Sequence, residues 1–136
     1  MKRIYIGSVV YSRWLEPSGW QITKSAYFSS LPAALKRLVP WLVRRNTLKA
    51  LYGQGISRHT REEVYALGIA DLGAIQQRLA TQPFLLGETA SSIDACAYAF
   101  IANILYAPIK NPLQDYTRQH TCFELYCQRM HDLYFL

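Results

Sequence analysis

Tyr5, Tyr11 and Arg13 fall within ten residues of each other near the start of a 136-residue chain. A phenol hydroxyl can donate a hydrogen bond to a thiolate or a polar electrophile across a cleft, and a guanidinium can hold an anion through two parallel N–H donors. Arg13 continues an apolar helical stripe, so it either points into a cleft and meets an anion or bends outward to Glu16 three residues on. Arg58-His59 beside Arg61 forms a second candidate anion contact, although the same residues also suit a solvated loop. The ten tyrosines of one small domain serve mainly as amphipathic packing residues.

Other chemistries find no support. His59, His120 and His131 lack metal-ligand spacing, and no glycine-framed Ser or Cys nucleophile accompanies them. Cys96, Cys122 and Cys127 are odd in number and fit neither a disulfide framework nor a zinc cluster. They read as reduced packing residues of a cytoplasmic protein. Cys96 is expected to be buried and unreactive, because a reactive thiol needs exposure and nearby positive charge. No metal and no cofactor of the chain's own are expected.

Helices must position these groups. Apolar residues recur at helical spacing from residue 3 to about 16, where Ile6, Val9, Val10 and Arg13 share a stripe and Trp14 lies beside it. Pro17-Ser18-Gly19 is expected to end that helix, with a short one following from about Ile22. A longer helix, residues 33 to about 52, has Leu35, Leu38, Val39, Leu42 and Val43 as its expected buried stripe. Pro40 should kink or break it, and Gly53-Gln54-Gly55 should end it. Thr60/Glu63, Ser91/Asp94 and Thr121/Glu124 each read as a capping box opening a further helix, and Asn111-Pro112 starts a short one. The run from Ala95 to Leu105 is apolar on nearly every side, which predicts a central helix with neighbours all round. It is too short for an easy bilayer span of roughly 20 residues. No segment alternates as a strand. The expected fold is an all-α bundle of about six to seven helices forming a single domain over residues 1–136.

The net charge of +6 is unevenly spread. No Asp or Glu occurs between Pro17 and Thr60, whereas Lys24, Lys36, Arg37, Arg44, Arg45, Lys49 and Arg58 all do. Such a stretch either attracts phosphate or anionic lipid or is a solvated face. No RNA-binding motif, zinc knuckle or helix-turn-helix accompanies it, so no specific nucleic-acid partner is expected.

The loop Pro83-Phe84-Leu85-Leu86-Gly87, followed by Ser91-Ser92-Ile93-Asp94 and the apolar helix, resembles the C-terminal helical domain of glutathione transferases. Val10-Tyr11-Ser12-Arg13-Trp14, Gly53-Gln54-Gly55, Arg58-His59-Thr60, Ile104-Leu105-Tyr106-Ala107-Pro108 and Tyr126-Cys127-Gln128-Arg129-Met130 resemble the failed axon connections and metaxin-like branch in order and spacing. The resemblance implies structural roles for Ser91 and Asp94. It also implies an upstream thioredoxin-like domain holding glutathione as co-substrate, for which this chain has no room. What remains corresponds to the wall of the hydrophobic acceptor cleft, with Tyr5, Tyr11, Arg13 and Trp14 as its candidate lining. The chain alone is then expected to be inactive, and its uncovered cleft face favours a homodimer. The alternative implied by the same resemblance is a non-catalytic adaptor with a protein or anionic surface partner.

Overall fold

The computed structural model describes the backbone of residues 2–135 and the side chains from Gly7 to Phe135. Among the described residues seven α-helices follow in order: α1 (Lys2–Trp14), α2 (Pro17–Phe28), α3 (Leu35–Gln54), α4 (Arg61–Leu79), α5 (Ser92–Leu105), α6 (Pro112–Gln119) and α7 (Thr121–Tyr134). A 3-10 turn, Ile56–Arg58, lies between α3 and α4. No strand occurs among the described residues, only a bridge between Phe84 and Gly87. The fold is all-α. Two compact units make it up, Met1–Tyr65 and Ala66–Leu136.

In the first unit, Pro17 starts α2 at its first turn instead of closing a loop, because its fixed φ suits that position and its missing N–H has no helical partner to lose. Gly19 is what allows this early start. It is buried, and a Cβ there would run into the Ser12 carbonyl of α1. The close approach is matched on α1, where Gly7, Ser8 and Ser12 are buried. Helix α3 runs through Pro40 without interruption and ends at Gly55, whose φ of 92° is left-handed and whose N–H donates to the Tyr52 carbonyl at 3.1 Å.

The side of α3 that packs is not the expected one. Pro40 and Leu51 are buried, and Arg44 turns inward to donate to the Trp14 and Leu15 carbonyls at 3.0 and 3.4 Å. Leu35, Leu38, Leu42 and Val43 are exposed, and Val39 is only partly covered. A 3.6-residue pattern identifies an apolar face but does not say what covers it.

In the second unit, α5 packs against α6 and α7. Asp94, Ile101, Ile104 and Leu105 are buried, but Ala95, Cys96, Ala99 and Asn103 are exposed. The helix therefore has one open side, contrary to its all-round apolar pattern. That side is built of small residues, whose removal from water yields little free energy, so polar residues are not needed there. On α7, Phe123, Tyr126, Cys127 and Met130 are buried, whereas Tyr134 at its end is exposed.

Candidate functional site

The polar side chains of the first unit converge where α1 ends and α4 begins. Thr60 and Glu63 fix the start of α4: the Thr60 N–H donates to Glu63 Oε2 at 2.9 Å and the Glu63 N–H donates to Thr60 Oγ1 at 3.3 Å. Arg61 and Tyr65, four residues apart, then share one face of the helix. The Arg61 Nε donates to Glu16 Oε1 at 2.6 Å, and its guanidinium lies 5.0 Å over the Tyr65 ring. Tyr11 of α1 meets Tyr65 edge to face, with ring centroids 6.3 Å apart. Beneath them, Val10, Tyr11 and Leu15 pack on the buried cluster Leu51, Ile56 and Val64.

Burial raises the Tyr11 hydroxyl above the ordinary phenol range, the Glu16 carboxylate adds to this, and the Arg61 cation opposes it. Burial pushes Tyr65 far higher, again with Glu16 assisting. Both phenols are neutral at physiological pH and act as hydrogen-bond donors, not as phenolates. The Tyr65 hydroxyl is buried without a well-formed hydrogen bond. Tyr11 is partly buried, its ring held against Tyr65 and against the cluster beneath. Glu16, Arg61 and Tyr65 were not identified from the sequence as partners of Tyr11. Only the i, i+4 spacing of Arg61 and Tyr65 hinted at a shared face, and the pairing of Glu16 with Arg61 spans 45 residues.

The other sequence candidates sit elsewhere. The Tyr5 side chain lies outside the described residues. Arg13 is half-buried, and the Glu16 carboxylate is held by Arg61. Trp14 belongs to an aromatic ladder, 5.4 Å from Trp20, which is itself 6.3 Å from Phe28 and lies under the Arg44 guanidinium. Arg58 stacks over Tyr52 at 4.9 Å, and His59 Nδ1 lies 3.5 Å from Glu63 Oε2. The structure thus does not bring Arg58 and His59 together with Tyr11 or Trp14.

In the second unit the polar centre is Asp94, fully buried at the start of α5. Its carboxylate accepts from the Leu85 N–H at 2.8 Å, the Ser91 N–H at 2.9 Å, the Ser91 hydroxyl at 2.7 Å and the Tyr126 hydroxyl at 3.1 Å. Burial alone would raise this carboxyl, but the donors outweigh it and hold the group below the ordinary carboxylate range. At the other end of α5, the buried Gln114 amide donates to the Ile104, Leu105 and Ala107 carbonyls, which a helix end would otherwise leave unpaired. Asn111 caps α6 by accepting from the Gln114 N–H at 3.0 Å. Thr121 and Glu124 form no capping box: α6 runs to Gln119, so His120 is the single residue between two helices and takes the cap position of α7.

The thiols are all free. Cys127 is buried and its pKa is pushed up to about 12 by that burial, with Glu124 contributing. Cys96 is exposed, contrary to expectation, because it lies on the open side of α5. Among the described residues no His, Cys, Asp and Glu group could hold a metal ion, and no helix is long and apolar enough to cross a membrane.

Residues 68–130 match the family model for the C-terminal domain of glutathione S-transferase. This segment belongs to the glutathione S-transferase C-terminal domain family. Its relatives point to the metaxin-like side of that family. Mouse metaxin-1 is 26% identical over 135 residues, covering 93% of this chain and 43% of metaxin-1. The failed axon connections protein of Drosophila melanogaster is 33% identical over 70 residues, covering 50% of this chain and 17% of its own length. An isoprene-epoxide–glutathione S-transferase of a Rhodococcus species is 27% identical over 108 residues, covering 79% of this chain and 45% of the enzyme. The chain thus spans less than half the length of these curated relatives. No solved structure matches it. Within the matched segment, the Ser91–Asp94 box at the start of α5 has both of its arms formed.

Proposed function

We propose that this domain is the helical half of a glutathione transferase-like protein and supplies the acceptor side of its cleft, while a thioredoxin-like domain supplies the glutathione side. The observation that carries this reading is the half-open, neutral Tyr11 phenol, set by Tyr65 and flanked by the Glu16–Arg61 pair. The similarity to an isoprene-epoxide–glutathione S-transferase supports it from outside the structure. In the reaction a glutathione thiolate attacks an electrophilic carbon. With an epoxide, a C–S bond forms, a C–O bond breaks and negative charge grows on oxygen. The Tyr11 O–H would donate to that oxygen, and Arg61 would favour the charge. Arg13 and Trp14 of the same helix, together with Tyr5, are the remaining candidates for the acceptor wall. The three free thiols suit a reducing compartment such as the cytoplasm. The domain alone is expected to conjugate nothing.

The test joins the chain to a thioredoxin-like domain and measures glutathione conjugation of an epoxide. Activity is expected only in the joined protein, with Tyr11→Phe lowering kcat/KM about tenfold, the worth of one hydrogen bond to developing charge. A joined protein that binds glutathione but conjugates nothing, or a Tyr11→Phe variant with full activity, would contradict the proposal.

A further inference from the structure

The outer face of α3 is apolar, exposed and ringed by cations. At 100° per residue, Leu35, Leu38 and Leu42 fall within an arc of about 60°, with Trp41 at its edge. Leu38 is 53% exposed and Trp41 55%. The packed residues Pro40 and Leu51 occupy the opposite side of the helix. Arg37 lies about 40° beyond Trp41, Lys36 about 100° beyond Leu35 on the side facing α2, and Arg45 and Lys49 continue the line of the arc toward the C-terminus of the helix. Beside the start of α3 is a groove of about 350 Å³. It is lined from α2 by Gln21, Lys24, Ser25 and Phe28, at the i, i+3, i+4, i+7 spacing of one helix face, and from α3 by Lys36. Lys24 and Lys36 bring two cations to a groove that Phe28 also lines, a combination that suits a phosphate attached to something greasy.

We propose that this face of α3 docks on the surface of an anionic phospholipid bilayer, with Leu35, Leu38, Trp41 and Leu42 entering the headgroup boundary and the Lys24–Lys36 groove taking a lipid phosphate. Charge selects this occupant. No carboxylate lies between Pro17 and Thr60 to neutralise the seven cations of that stretch. Two of the three acids at its margins are committed elsewhere, Glu16 to Arg61 and Glu63 to the α4 cap, which leaves Glu62 against seven cations. A second copy of the chain would set like charges against each other across the face. Nucleic acid would satisfy the cations but leave the leucines in water. An anionic bilayer satisfies both, because leucine and tryptophan settle at the acyl boundary while lysine and arginine reach the headgroups.

Co-sedimentation of the full chain with vesicles tests this. Phosphatidylcholine vesicles carrying about 30% phosphatidylserine are compared with pure phosphatidylcholine at near-physiological salt. Binding is expected to the anionic vesicles alone and to weaken as salt rises. Leu38→Asp should lower it at least tenfold, and Lys36→Glu at least fivefold. Both positions are exposed, so unchanged helicity by circular dichroism shows that the fold survives. Three results would overturn the proposal: equal binding to both vesicle types, anionic binding that Leu38→Asp leaves intact, or no vesicle binding at all. Self-association or capture of an acidic protein through the same residues, without vesicle binding, would assign the face to that partner instead.

Discussion

Asp94 and Tyr65 are both buried polar groups next to a helix start, yet they are satisfied to opposite degrees. The Asp94 carboxylate receives four donors, two from side chains and two from the backbone, and its pKa falls. The Tyr65 hydroxyl is buried with no well-aligned hydrogen bond and with the Glu16 carboxylate as its one acceptor, and burial followed by that carboxylate raises its pKa. A polar group with its capacity filled is a fastener, tying the 85–91 loop, α5 and α7 into one piece. Tyr65 is held less completely, with only the Glu16 carboxylate acting on its hydroxyl, and it borders the partly buried Tyr11 phenol and the Arg61 guanidinium. The contrast favours a site at Tyr11 over one at the fully bonded Asp94.

Removing the fastener should have the largest effect. Asp94→Ala strands the Leu85 N–H and the Tyr126 hydroxyl in the interior and should destabilise the domain by about 3–5 kcal/mol in urea denaturation. A loss under 1 kcal/mol would end the claim that Asp94 ties the unit together. The same carboxylate sets a pH dependence. Its native pKa lies below its unfolded value of about 3.9, so its contribution is complete above that value and disappears as pH falls through the lower native one. An Asp94→Asn variant should lack this part of the acid limb.

Next in size is Tyr126→Phe, which removes one donor to Asp94 and should cost about 2 kcal/mol. Because that donor helps to lower the carboxyl, the acid transition should also move to higher pH. Tyr65→Phe should do least, within about 0.5 kcal/mol either way, since the hydroxyl it deletes makes no well-formed bond. A loss as large as that of Tyr126→Phe would mean the two groups are equally engaged, and the contrast would fail.

Much of this was legible from the sequence where the deciding interactions are local. Thr60/Glu63, Ser91/Asp94 and Asn111 cap their helices through bonds spanning three residues, so the residue types at those spacings are nearly sufficient. Thr121/Glu124 shows the limit: the same spacing is present, but the length of α6 moves the cap to His120. Apolar pattern gave the existence of α3 and α5 but not their covered sides. On α3 the leucines face outward because Pro40, Arg44 and Leu51 make the tertiary contacts. On α5 the alanines left one side open, and Cys96 with it. The Glu16–Arg61–Tyr65 group was invisible, since nothing in the sequence joins residues 45 positions apart.

The most direct test of the reading at Tyr11 uses one substitution and two measurements. In the chain joined to a thioredoxin-like domain, Tyr11→Phe should leave unfolding free energy within about 0.5 kcal/mol of the parent while lowering kcat/KM for glutathione addition about tenfold. A variant that loses stability and keeps its activity would place Tyr11 among the packing residues and contradict the account.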